Sequence, residues 1–274
     1  MEDFDIIIEP RKSLKNFWTE LLEYRELFFF LAWRDILVRY KQTAIGVAWS
    51  VLRPLLTMVV FTIVFGKLAK MPSGGIPYPI LVYSAMLPWH FFSNILTESG
   101  NSLISNANLI SKIYLPRIII PTTAMIVSLI DFLISSVIFI LIMMIYNFKP
   151  TTNVLFIPLL LTLAVLTSLG MGYLFSALNV KYRDFKHIVP FVVQLGLYVS
   201  PVGFSSSVIP EEWRLIYSLN PMVGVIDGFR WAIVGNAFQI YYPGFILSIG
   251  VSLVIFVAGF SYFRKTEKEF ADVI

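Results

Sequence analysis

Cysteine is absent from the 274 residues, which excludes disulfides, thiolate metal centres and a cysteine nucleophile. Histidine occurs twice, as His90 and His187, with no metal-ligand spacing between them. Charged residues are only 14% of the chain, and no acidic cluster stands where a membrane glycosyltransferase would need metal or base chemistry. The sequence contains no G-x-x-x-x-G-K-[ST] phosphate loop, no G-x-S-x-G elbow and no H-E-x-x-H pair. Any driving force therefore has to come from elsewhere. The first residues, MEDFDIIIEPRK, lack the basic start and apolar core of a signal peptide, so residues 1–45 are expected to stay in the mature chain.

What the chain has in abundance is apolar surface, 57% hydrophobic residues and 16% aromatic. A bilayer core about 30 Å thick needs roughly 20 apolar residues per helix. Segments of that kind lie at 46–68, 78–96, 118–146, 155–180, 187–202 and 242–263, the third long enough to tilt and the fifth short. The expected fold is an all-α polytopic membrane protein with six transmembrane helices. It forms a single domain over 1–274, with a cytoplasmic and interfacial segment at 1–45, a membrane part at 46–263 and a tail at 264–274. With the N-terminus inside, fifteen of the 21 Lys and Arg fall on the cytoplasmic side, five outside, and Arg53 within the first span. That bias puts both termini in the cytoplasm. It also accounts for the net charge of +4 without a nucleic-acid partner.

Three connecting regions carry patterns of their own. Between Leu14 and Ala32, Leu14, Phe17, Trp18, Leu21, Tyr24 and Phe28 recur at helical spacing, which predicts an amphipathic helix along the inner leaflet, or a simple anchor. It feeds the first span through Arg34, Arg39 and Lys41, cations placed where phosphate groups of lipids are attracted, as topology alone would also place them. The loop at 98–117 carries Leu103, Ile104, Leu109, Ile110 and Tyr114 on the apolar side of one or two short helices ending before Pro116, with lipid or protein as partner. The outer segment at 203–241 reads as two short helices, from Pro210 to about Leu219 and from Met222 to Val234. Asn220 and Pro221 break them, Gly235 is the candidate C-cap, and the pair forms a re-entrant hairpin between spans five and six.

Arg53 and Asp131 fall inside predicted spans, where a central charge costs about 2.5–3.5 kcal/mol on insertion scales. Either they pair directly, or Arg53 reaches out to the interface while Asp131 bonds a neighbouring hydroxyl. Aromatic residues near span ends form an interfacial belt. Tyr83, Trp89, Phe91, Phe92, Tyr198 and Phe204 are candidates for lining a path along which sugar rings slide.

The run Arg39-Tyr40-Lys41-Gln42-Thr43-Ala44-Ile45-Gly46, with Trp49 and Arg53-Pro54-Leu55, resembles the entry to the first span in permease subunits of ABC exporters of bacterial surface polysaccharides. The likeness continues through Leu87-Pro88-Trp89, Phe91-Phe92, Asn108-Leu109-Ile110-Ser111-Lys112, Leu115-Pro116-Arg117 and Tyr182-Arg183-Asp184. It then takes in Ser200-Pro201-Val202, Asn220-Pro221 and Gly228-Phe229-Arg230, nearly the whole chain in order. The resemblance implies a non-enzymatic homodimer in the cytoplasmic (inner) membrane, bound to two copies of an ATPase that holds ATP and Mg, with no cofactor in this chain. It implies that the N-terminal helix and the loop containing Asn108, Leu109, Ile110, Ser111, Lys112, Tyr114 and Arg117 meet the ATPase. Tyr182, Arg183 and Asp184 would lie at the inner gate, with Arg34, Arg39 and Lys41 near the lipid diphosphate. The implied cargo is an O-antigen-type glycan on a polyprenyl diphosphate. Teichoic acid or capsule export by the same machinery, drug or lipid export, and a non-energised channel or scaffold are the alternatives.

Overall fold

The computed structural model describes residues 22–41, 44–113, 115–182 and 184–270. Among the described residues the regular elements are all helical. In chain order they are α1 Arg25–Lys41, α2 Ala44–Phe61, α3 Tyr78–Ser105, α4 Ala107–Ile110 and α5 Ile119–Ile145, then α6 Ile157–Lys181, α7 Phe185–Val199, α8 Glu211–Tyr217, α9 Pro221–Val234 and α10 Tyr242–Thr266. Pro79, Pro158, Pro221 and Pro243 occupy the first turns of α3, α6, α9 and α10. There the missing N–H has no helical partner to lose and the fixed φ favours the helix. α2 continues into a π-helical stretch, Thr62–Leu68.

Among the described residues, four segments are both long and apolar enough to cross a membrane: Val51–Leu68, Ile119–Ile145, Thr152–Lys181 and Tyr242–Glu269. The chain is a multi-pass membrane protein. α3 has the length, 28 residues or about 42 Å, but carries His90, Asn94, Glu98 and Asn101. α7 is apolar but has 15 residues. α3 tolerates its polar residues because it is buried on nearly every face. It stands at the centre, packed against α5, α6 and α9, while α10 backs α6. Around this bundle Leu56, Leu133, Val137, Phe191, Val254 and Val257 point outward, as apolar side chains do where lipid replaces water.

Small residues bring the central helices together. A Cβ on Gly259 would lie 1.9 Å from the Gly170 carbonyl oxygen, so α10 and α6 cross with backbones in direct contact. A Cβ on Gly172 would lie 2.6 Å from Ser99 Cβ, which closes α6 onto α3 in the same way.

Two boundaries differ from expectation. The helix predicted for 14–32 runs on to Lys41, so Arg34, Arg39 and Lys41 belong to α1 itself and not to a linker. Leu14, Phe17, Trp18 and Leu21 lie outside the described residues. α3 runs to Ser105, nine residues beyond the expected end at Leu96, so Leu103 and Ile104 finish a long helix instead of forming a loop helix. The polar look of Thr97 to Asn101 conceals that Ser99, Gly100, Ser102 and Leu103 are its buried face.

The segment at 203–241 contains two short helices, α8 and α9, where two were expected. The Asn220 side chain caps α9 by accepting from Met222 N at 3.1 Å, and Gly235 ends it at φ +68°. α9 is buried along almost its whole length against α10, α3 and α6, whereas α8 is exposed.

Candidate functional site

α1 lies against α5 and turns Phe29, Phe30, Trp33 and Val38 outward. Its inward polar residues make two junctions. At the first, the Arg39 guanidinium lies 2.9 Å from Asp131 Oδ2, Tyr40 donates its hydroxyl to Asp131 Oδ1, and Asn94 Nδ2 donates to Oδ2 at 3.4 Å. Burial pushes the Tyr40 phenol pKa upward, and its bond to the carboxylate adds to the shift. Glu98 Oε1 stands 3.8 Å from the other side of Arg39. At the second junction, Arg34 donates to Asp35 at 2.7 Å and to Asn106 Oδ1 at 2.8 Å, while Thr123 donates to Asp35 at 3.3 Å. α1 is thereby fastened to the end of α3, the start of α4 and the first turns of α5.

The direct Arg53–Asp131 pair is not formed. Asp131 takes its cation from α1 and a hydroxyl from Tyr40, while Arg53 is exposed. Both arginines line one cavity of about 240 Å³ between α1, α2, α3 and α5, with His90, Asn94, Ser128, Asp131 and Ser135 as its polar wall. A neighbouring depression of about 360 Å³, lined by Asp35, Arg39 and Glu98, shares Arg39 with it.

The turn between α3 and α5 exposes Asn108, Ser111, Lys112 and Ile113, while Leu109 and Ile110 pack on the core. Arg117 donates to the Glu267 carbonyl, and Arg264 pairs with Glu267 at 2.5 Å, so the end of α10 braces this turn. Tyr114 and Arg183 lie outside the described residues. Lys41 is exposed. Tyr182 and Asp184 are exposed on the separate turn between α6 and α7, where Lys181 Nζ sits 5.9 Å from the Tyr182 ring centroid.

The aromatic candidates divide. Tyr83 stacks on Phe139 at 5.4 Å, Phe91 meets Phe132 edge-on at 5.6 Å, and Trp89 packs on Phe92 at 5.4 Å and over Gly196. All four are core residues of the protomer. Tyr198 is exposed and Phe204 partly so.

Residues 26–234, about three quarters of the chain, match the ABC-2 type transporter family. The chain belongs to that family. The ABC-2 match runs from α1 through α9 and includes every residue of both junctions and of the cavity. The O-antigen export system permease protein RfbA of Myxococcus xanthus is 28% identical over 258 residues, 93% of this chain and 98% of the relative. A protein of the same name from Klebsiella pneumoniae is 28% identical over 242 residues, 88% and 92% of the two chains. The polysialic acid transport protein KpsM of Escherichia coli is 25% identical over 225 residues, 80% and 82% of the two.

Sequence reasoning left one clamp in this ABC-2 chain unread. Arg230, 1% exposed, donates to the carbonyls of Phe204 at 2.8 Å, Val202 at 3.1 Å and Leu81 at 3.3 Å. It fastens α9 to the segment after α7 and to the start of α3. The signal was a lone arginine in an apolar helix, between Gly228-Phe229 and Trp231. Asn94, Glu98 and Asn106 were likewise missed, because alone on α3 they read as ordinary polar positions.

Proposed function

We propose that the chain is the membrane subunit of an ABC exporter that moves a polyprenyl-diphosphate-linked polysaccharide of the O-antigen type across the bacterial inner membrane. The observation that carries this reading is the likeness to O-antigen export permeases along 93% of this chain and 98% of the Myxococcus relative. The six spans are α2, α3, α5, α6, α7 and α10, with both termini in the cytoplasm. α1 lies in the inner-leaflet interface with Phe29, Phe30, Trp33 and Val38 toward lipid, and α8 with α9 forms the outer hairpin.

The working unit is a homodimer with two copies of a cytoplasmic ATPase, which bind the ATP and Mg. Support for the homodimer comes from packing. The protomer centre is filled by α3, and the polar cavities beside it, about 240 and 360 Å³, do not make a polymer conduit. A path for a polysaccharide therefore runs between two copies. α2 and α7, the least buried of the spans, supply the facing surface, with Tyr198 and Phe204 toward the path.

The exposed residues Asn108, Ser111 and Lys112 receive the ATPase, and Leu109, Ile110 and Arg117 fix their turn to the body. From there α3 is one continuous helix to Asn94 and His90 at the cavity, and Arg34 carries the same displacement into α1. Tyr182 and Asp184 border the inner gate. A second reading, export of a capsular polysaccharide, draws on the likeness to KpsM.

Affinity purification of the tagged chain from its native membrane in mild detergent, with mass spectrometry of what co-purifies, tests the assignment. An ATPase subunit in equal amount is expected. Its reproducible absence would return the chain to a channel or scaffold.

A further inference from the structure

Around the 240 Å³ cavity, Arg53 is a cation, and Ser128 and His90 carry polar atoms without a partner. Both oxygens of Asp131 are spent, on Tyr40, Arg39 and Asn94. Among the described residues no carboxylate stands within ion-pair distance of Arg53, although its guanidinium borders the cavity beside His90. Ser128 is fully buried and its hydroxyl has no partner, and neither has His90 Nε2. The Ser128 hydroxyl is unusual for its helix. Thr122, Thr123 and Ser136 on α5 all bond back to carbonyls of their own helix, at 2.6–2.8 Å. Ser128 does not, and it lines the cavity with a buried hydroxyl that has no partner.

A buried hydroxyl without a partner costs free energy, and an unpaired guanidinium at a low-dielectric wall attracts an anion. A cation is disfavoured by Arg39 and Arg53, and the one carboxylate is already neutralised. The apolar part of the wall is Pro54, Leu87, Phe91 and Phe132, surface that suits the first carbons of an alkyl chain.

We infer that this cavity is a phosphoryl site, in which Arg53, Ser128 and His90 hold the diphosphate of a lipid diphosphate ester while Leu87, Phe91 and Phe132 hold the start of its chain. This deepens the proposed function and rests on it for the identity of the ester. It moves the diphosphate away from Arg34 and Arg39, which are occupied by Asp35, Asn106 and Asp131. The depression lined by Asp35, Arg39 and Glu98 adjoins the cavity and gives it a way in from the side of α1.

Calorimetric titration of the full chain in maltoside detergent, which carries no phosphate, tests the site with farnesyl diphosphate, farnesol and inorganic pyrophosphate as probes. Saturable binding of farnesyl diphosphate is expected, weakened about tenfold or more in Arg53→Gln, for the loss of charge-assisted bonds, and less in Ser128→Ala. Arg53→Lys, which keeps the charge, should retain most of the affinity and shows that the variants fold. Binding of the lipid diphosphate without pyrophosphate assigns the site to a lipid headgroup, and equal binding of both assigns it to a free diphosphate. Either supports a phosphoryl site. Equal binding of farnesol, or affinity unchanged in Arg53→Gln, overturns it. If Arg53→Gln still co-purifies an ATPase and exports glycan normally, the site falls while the exporter assignment stands. If wild type binds the probe but no ATPase co-purifies, the reverse holds.

Discussion

Arg39 on α1 and Asp131 on α5 meet at 2.9 Å, and their exposures are unequal: the aspartate side chain is 9% accessible and the arginine 33%. The pair joins a helix proposed to lie along the membrane surface to one that crosses it. Removing either partner has a different consequence. Without Asp131, Arg39 turns toward solvent and Glu98. Without Arg39, the carboxylate stays buried with Tyr40 and Asn94 alone.

Arg39→Ala should therefore destabilise the protein more than Asp131→Asn. The expected cost is on the order of 2–3 kcal/mol against about 1, since an uncompensated buried charge is the expensive outcome. Thermal unfolding of the two variants in the same detergent checks the order, and equal losses would contradict it.

Arg230→Ala leaves the carbonyls of Leu81, Val202 and Phe204 without their shared donor. A loss of about 3–5 kcal/mol is expected, seen as aggregation in size-exclusion chromatography. Arg230→Lys should not rescue it, because one ammonium lacks the planar fork that reaches three separated carbonyls.

Gly259→Ala would drive a methyl into the Gly170 carbonyl, and α10 must move off α6 to admit it. Gly250 lies on the same helix with open space around its Cβ position. The prediction is a markedly lower melting temperature for Gly259→Ala and little change for Gly250→Ala.

Lys112→Glu alters an exposed side chain on the turn after α4 without touching the core. Expression and melting temperature should match wild type, while recovery of the ATPase in affinity purification falls severalfold. Undiminished recovery would remove Lys112 from the docking surface.

The breaks in the chain were legible from local chemistry. Asn220-Pro221 and Gly235 act through their own backbone, as a cap, a fixed φ and a positive φ, so the ends of α9 could be read directly. The end of α3 could not, because Thr97 to Asn101 look like loop until α6 is present to bury Ser99 and Gly100. The partner of Asp131 was hidden for a similar reason. The sequence offered only Arg53, the other charge within a span, and it is the docking of α1 on α5 that brings Arg39 to Asp131. Tyr83 and Trp89 have the amphipathic chemistry of path-lining residues, yet Phe139 and Gly196 enclose them in the core.

The most direct test of the exporter assignment is to delete the chain in its host and measure surface polysaccharide and intracellular lipid-linked glycan in the same cells. The account predicts loss of the surface polymer with accumulation of the carrier-linked glycan on the cytoplasmic side, both reversed by restoring the chain. Unchanged surface polysaccharide with no accumulation would contradict it.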